Sequence, residues 1–236
     1  MVFSTGPSST CLQGTILAQY WTVQYAPTVS ELPTRTDQKR ASIIEAATTS
    51  FLSDGYAGTS MDHIAAAAGV SKQTVYRHFA DKERLFCHVV EVLVNAASDS
   101  VYEAVHGLEV TGDLEAELLA VARRQLELVL QPQLMQLRRL VIAEATRFPQ
   151  LGKVFFDQGP RRTMDALADA FRRLAERGLL RIDDPMVAAA QFNWLVMGVP
   201  LNQAMLLGLE TPPRAQELDR WATTGVTTFL AAFGAR

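Results

Sequence analysis

The 236-residue chain has only two cysteines, Cys11 and Cys87, far apart in sequence. That is too few for a disulfide framework or a cysteine metal cluster, so a reducing, cytoplasmic setting is expected. Long apolar runs are missing as well. With no stretch of about 18 apolar residues there is no spanning helix, and no membrane partner is expected. The start lacks a signal peptide's cationic beginning and unbroken apolar core, because "TILAQYWTVQY" is interrupted by Gln19 and Gln24 and no Lys or Arg precedes Arg35. Charge of one sign is scarce too: the formal net charge is −3, which by itself leaves a nucleic-acid partner undecided. The four histidines, His63, His78, His88 and His106, fall in or near the first third of the chain. No Ser-His-Asp, Cys-His or carboxylate pair stands in a catalytic frame, so no catalytic residue, metal or cofactor is assigned. His63 has no second ligand at helical spacing and reads as a surface histidine.

What the chain does have is apolar content, 48% of its residues, enough for one large core or two unequal ones. Residues 1–34 are rich in Ser, Thr, Gly and Pro, without helical or strand periodicity, and read as a flexible tail. Two readings of it stay open. Part of it lies upstream of the natural start, with Val23, Val29 or Leu32 as the initiating position, or it is a true arm that touches DNA.

From Thr36 the pattern turns helical. Ile43, Ala47 and Phe51 recur every four residues with Ile44 beside them, and "SDGYAG" closes the segment. In "TSMDHIAAAAGVS" Thr59 is the expected cap, Asp62 sits near the positive helix end, and Met61, Ile64, Ala65 and Ala68 form one stripe. Gly69 breaks that helix, Ser71 caps a third carrying Val75 and Phe79, and Asp81 caps a fourth with Leu85, Val89 and Val92 on one side. Three short helices with a glycine turn between the second and third make a helix-turn-helix layout. Downstream, "LEAELLAVARRQLELVL", "QLMQLRRLVIAEATRF", "RRTMDALADAFRRLAERG", "DPMVAAAQFNWLVMGVPLNQAMLL" and "PPRAQELDRWATTGVTTFLAAF" are helical patterns punctuated by Pro and Gly, with Asp184 a cap before Pro185 at the first helical position. No strand signal competes. The fold is expected to be all-α, with a tail over 1–34, a three-helix helix-turn-helix domain over 35–82 and a helical ligand-binding and dimerisation domain over 83–236.

Local charge separates these regions. Between Arg35 and Val90 seven basic residues face six acidic ones, so the acidity lies elsewhere in the chain. In "SKQTVYRHF", Val75 and Phe79 must face the core, which leaves Lys72, Gln73, Thr74, Tyr76 and Arg77 outward. A helix this short fits the major groove, where Lys can meet guanine O6 and N7, Gln adenine N6 and N7, and the Thr methyl a thymine. Tyr76 and His78 suit phosphate oxygens. Lys82 follows the Asp81 cap at a helix start, where a cation is disfavoured unless a phosphate docks there.

"RASIIEAATTSFLSDGYAGTSMDHIAAAAGVSKQTVYRHFADKERLF" resembles the DNA-binding domain of TetR-type bacterial transcriptional regulators over residues 36 to about 90. The resemblance implies a cytoplasmic homodimer that binds a palindromic double-stranded DNA operator, usually as a repressor, and releases it when a small-molecule effector enters the C-terminal domain. It implies that Thr59 and Ser60 meet phosphate, that Lys72, Gln73 and Thr74 approach bases, and that Tyr76, His78 and Lys82 grip phosphates. Most relatives carry a small residue where Gln73 stands, so the base preference is not carried over. "LRRLVIAEATRFPQLGKVFFDQGPRR" and "GLLRIDDPMVAAAQFNWLVMG" look like the C-terminal domain of multidrug-efflux and AefR-like regulators. A ligand-independent regulator or an activator remains an alternative on the same fold, and a helical small-molecule enzyme is the alternative of another class.

In the sensor half, Val187, Phe192, Leu195, Val199, Leu206, Trp221, Phe229 and Phe233 supply more apolar surface than a monomer's outer helices need, which suggests a four-helix bundle between two copies. Met135, Phe148, Phe155, Phe156, Trp194 and Met197 are candidate lining residues for a largely apolar effector. The pairs Arg123 and Arg124, Arg138 and Arg139, Arg161 and Arg162, and Arg172 and Arg173 read as solvated faces, with an acidic ligand at Arg138 as the alternative.

Overall fold

The computed structural model describes residues 34–108, 112–208 and 211–235, so apart from Thr34 the tail lies outside the described residues. Regular structure among them is helical: α1 (Arg35–Gly58), α2 (Met61–Ala67), α3 (Lys72–His78), α4 (Lys82–His106), α5 (Leu114–Val129), α6 (Pro132–Glu144), α7 (Pro149–Phe156), a π-turn (Asp157–Arg161), α8 (Arg162–Glu176), α9 (Pro185–Leu207) and α10 (Ala215–Phe233). The chain divides into two compact units between Phe86 and Cys87, within α4.

Local chemistry sets the ends of the N-terminal unit's helices. Thr34 and Asp37 form a reciprocal capping box at α1, with Asp37 N donating to Thr34 Oγ1 at 3.2 Å and Thr34 N to Asp37 Oδ2 at 3.0 Å. The Thr34 hydroxyl, donating to Asp37 Oδ2 at 2.7 Å, and then the bond from Thr34 N hold the Asp37 carboxyl below its usual pKa. At α2 the cap is Ser60, which accepts from His63 N at 3.1 Å. The expected cap, Thr59, is instead buried and donates its hydroxyl to Ser50 O and Gly55 O, because "TS" offers two candidates and only packing decides between them. The α2 terminus folds back in a Schellman turn: Val70 N reaches Ala65 O at 3.0 Å and Gly69 N reaches Ala66 O at 3.2 Å, with Gly69 at φ 65°. An L-residue with a Cβ resists that conformation, so Gly69 fixes the angle at which α3 leaves α2.

The core of this unit is the expected stripe set. Ile43, Ile44, Ala47 and Phe51 of α1 are buried with Met61, Ile64, Val75, Phe79, Leu85 and Phe86. Phe51 and Phe86 rings lie 4.6 Å apart and Tyr56 and Phe86 rings 5.3 Å, so the start of α4 closes the bottom of the three-helix cluster. Leu85 and Phe86 therefore belong to this core, and the division falls at Phe86 rather than at residue 82. Removing one such ring, as in Phe51→Ala, costs about 3–5 kcal/mol.

In the C-terminal unit α9 packs against both α8 and α10, and α5 covers α10. Phe171, Phe192 and Phe229 form its centre, with ring centroids 5.0 to 5.5 Å apart. Gly225 lets α10 touch α9: a Cβ there would lie 2.9 Å from Val196 Cγ2 and 3.1 Å from the Leu195 carbonyl. The C-terminus is clipped back by Arg181 N to Phe233 O at 2.7 Å and Ala235 N to Leu179 O at 3.1 Å. One helix escaped the sequence reading. "PQLGKVFF" forms α7, and "DQGPR" continues from it into α8 as a π-turn where Gly and Pro suggest a break. At buried Gly159 a Cβ would stand 2.9 Å from Val94 Cγ1 of α4, so only glycine permits this close approach, and that tertiary contact outweighs the local signal.

Candidate nucleic-acid interface and sensor site

Helix α3 begins at Ser71, whose hydroxyl accepts from Thr74 N at 3.1 Å. At 100° per residue, anchoring Val75 in the core turns Lys72, Gln73, Tyr76 and Arg77 outward together, and all four are exposed. Thr74 is half-buried and its hydroxyl is 2.8 Å from that of Ser71, so it borders the outward face instead of standing on it. Tyr76, 44% exposed, is a large ring left in water on a helix that buries its other apolar residues.

Lys72 has a partner that the sequence reading missed. Its Nζ lies 2.8 Å from Asp62 Oδ1 and 3.0 Å from Oδ2, across the Gly69 turn, and the hydrogen bond and charge of Asp62 raise the lysine's pKa. Both side chains are exposed, so the pair is weak and can be exchanged for a nucleic-acid acceptor. A fixed turn length between an acid in the first turn of α2 and a cation in the first turn of α3 was the available signal.

Ser60 is exposed, and as the α2 cap it keeps its hydroxyl proton for an outside acceptor. Thr59 has no such freedom. Its proton is taken by carbonyls in the core, so of the pair only Ser60 has a hydroxyl proton left for an outside acceptor.

Lys82 also turns inward. Its ammonium donates to Tyr56 O and Thr59 O, both at 2.8 Å, and sits 4.3 Å from the Tyr56 ring centroid. Those carbonyls end α1, where a cation is favoured. The cation therefore stands at the start of its own helix because it finishes another, and this replaces the docked phosphate as the reason for its position. His78 is half-buried with Nε2 shielded and without a hydrogen-bond partner. Burial, then the charges of Arg77, Arg40 and Lys39, push its pKa down, so it enters this surface as a neutral ring among cations.

In the C-terminal unit the candidate lining residues separate. Met135 and Met197 are buried in the core cluster, Phe155 is buried on α7, and Phe148 is half-buried at the α7 cap. Phe156 is exposed. Trp194, 60% exposed, joins Val187, Leu195, Val199 and Leu206 in an apolar stripe on the outside of α9. Phe192 and Phe229, expected on that outer face, are fully buried within the single chain's core. Helix α9 is apolar on every side, so periodicity could not say which of its residues faced inward.

The arginine pairs also divide. Arg123 pairs with Asp219, Arg161 with Asp157 and Arg172 with Asp169 near the surface. Arg162 pairs with Asp99. Arg138 and Arg139 are not a solvated face: Arg139 donates to Ala204 O at 3.1 Å, and Arg138 is half-buried, with its guanidinium against the Phe155 ring and its Nε shielded.

With this geometry in hand, comparisons with known proteins are specific. Residues 43–89 match the profile described as bacterial regulatory proteins, tetR family, and residues 116–235 that of the AefR-like transcriptional repressor, C-terminal domain. The chain is similar to the crystal structure of a protein assigned to the TetR family of transcriptional regulators from Mesorhizobium loti MAFF303099, at 40% identity and TM-score 0.80, covering 86% of this chain and 100% of that one. It is also similar to the flavonoid-responsive regulator FrrA, at 31% identity and TM-score 0.70, covering 84% of this chain and 98% of that one. Among curated relatives, the HTH-type transcriptional regulator YhgD of Bacillus subtilis is 41% identical over 69 residues, 29% of this chain and 36% of that protein. The match thus spans about a third of the first curated relatives' length.

Proposed function

The chain belongs to the TetR family of bacterial transcriptional regulators, and on that premise we propose that it is a ligand-responsive repressor that binds a palindromic operator as a homodimer. The observation that carries the reading is the outward set on α3, in which Lys72, Gln73, Tyr76 and Arg77 share one exposed side while Val75 anchors the other. Lys72 and Gln73, in the first turn, are placed for base edges, with Thr74 beside them. Ser60, Tyr76 and Arg77 supply donors to the flanking phosphates, which position the helix without reading sequence.

Two copies are needed because one seven-residue helix reads too few bases. The exposed stripe of Val187, Trp194, Leu195 and Val199 on α9 supports a two-fold interface, since a contiguous apolar face of this kind is rarely left in water. The dimer must hold its recognition helices about 34–36 Å apart to occupy consecutive major grooves. An effector that binds better to a state with another spacing releases the DNA, and a differential of a few kcal/mol suffices. Likeness to a flavonoid-responsive regulator over 98% of its chain supports a ligand response.

The test is selection of genomic fragments by the purified protein, followed by anisotropy titration of the enriched duplex at several salt concentrations. The expected result is a two-fold symmetric site bound by one dimer, at least 10³-fold tighter than random duplex. Binding to all duplexes alike, or by a single chain, would refute the reading.

A further inference from the structure

Arg138 lies on α6 between Met135 and Val141, three residues from each, and both neighbours are buried. It thus occupies the inward side of the helix, where an apolar residue would complete the stripe. Its guanidinium carbon is 5.0 Å from the centroid of the buried Phe155 ring, and its Nε is shielded from solvent without a hydrogen-bond partner. Among the described residues no carboxylate lies within ion-pair distance of it, whereas the surface arginines Arg123, Arg161 and Arg172 each have one. Burial lowers its pKa to about 10, which still leaves it charged at neutral pH. A half-buried cation with its Nε shielded and no counter-charge costs stability, and a helix gains nothing from one on its apolar face.

From this placement we infer that Arg138 is the anion-binding residue of the effector site, and that the effector is an organic monoanion with an apolar body. The inference rests on the ligand-responsive reading above and names its ligand class. One guanidinium fits one negative group, because the neighbouring Arg139 is directed to Ala204 O. Met135 and Phe155 offer the apolar body adaptable, polarizable surface. A small hydrated ion such as phosphate would lose water against these side chains and has no apolar body to set against them. The anionic group can be an aliphatic or an arylalkyl carboxylate, which share the chemistry but differ in body.

Calorimetric titration with two matched pairs, decanoate against decanol and 4-phenylbutyrate against 4-phenylbutanol, with inorganic phosphate as control, tests it on the full chain. In the wild type at least one acid binds roughly ten- to a hundredfold tighter than its alcohol, and phosphate does not bind. Which acid binds identifies the body. Arg138→Gln reduces that preference to about twofold, and Arg138→Lys restores part of it. Arg138→Met raises the melting temperature of the ligand-free protein, because it removes an uncompensated buried charge.

The inference is overturned if acids and alcohols bind alike, if no acid binds at millimolar concentration, if Arg138→Gln keeps the preference, or if Arg138→Met lowers the melting temperature. These readouts do not involve DNA. Failure of a bound acid to release the selected duplex would instead count against the ligand-responsive reading and leave Arg138 as an anion site.

Discussion

Replacing Lys82 by Met separates a structural cation from a phosphate ligand. Met keeps the length of the stem but removes two charged-donor hydrogen bonds, each 2.8 Å, to Tyr56 O and Thr59 O, and the contact 4.3 Å over the Tyr56 ring. A hydrogen bond from a charged group is worth about 1.5–3 kcal/mol, and a ring contact of a cation that still meets water about 0.5–1 kcal/mol. The side chain is half-buried, so the freed carbonyls recover water and the low end applies. The expected net loss is about 3.5 kcal/mol, or several hundredfold in the folding equilibrium. Urea denaturation followed by circular dichroism measures it, and faster hydrogen exchange at the end of α1 and start of α2 localises it. The slope of log affinity against log salt, measured below the unfolding transition, is expected to stay the same. If stability is unchanged and the slope falls by about 0.9 per protomer, Lys82 grips a phosphate and the inward assignment is refuted.

Asp62→Asn frees Lys72 and removes a negative charge from the proposed DNA surface, so duplex binding should tighten and its salt slope steepen by about 0.9 per protomer in the same anisotropy titration. Val199→Glu alters a residue that is 60% exposed in the single chain, so it should fold normally, yet sedimentation should find monomers and operator binding should be lost. An unpaired charge buried in an interface costs about 3 kcal/mol or more per copy. Gly225→Ala places a methyl 2.9 Å from Val196 Cγ2 and 3.1 Å from the Leu195 carbonyl, and should destabilise the C-terminal unit by about 1–3 kcal/mol in thermal denaturation. His78 has its folded pKa lowered below the ordinary 6.5, so the unfolded chain binds its proton first on acidification. Its contribution to stability is full above the unfolded pKa and is lost as pH falls through the folded one. His78→Gln should flatten the stability profile below about pH 6.5, and an unaltered profile would contradict the assignment.

The sequence by itself determined the helix-turn-helix. Its helices are short, their apolar residues recur at one spacing, and Gly69, Ser71 and Asp81 fix the turns by backbone chemistry that operates within a few residues. Because Val75 must be buried, Lys72, Gln73 and Tyr76 could be placed outward before any packing was known. The tertiary structure alone decided where charge-bearing side chains end. The carbonyls that hold Lys82 are 23 and 26 residues away, and no local pattern encodes such distances. In the C-terminal unit α9 is apolar all round, so only its packing against α8 and α10 divides the buried Phe192 from the exposed Trp194. Arg138 makes the same point. A basic residue in an amphipathic helix is expected in solvent, and only the fold reveals that its side chain lies half-buried against Phe155, because burial is a property of what surrounds a residue and not of the residue itself.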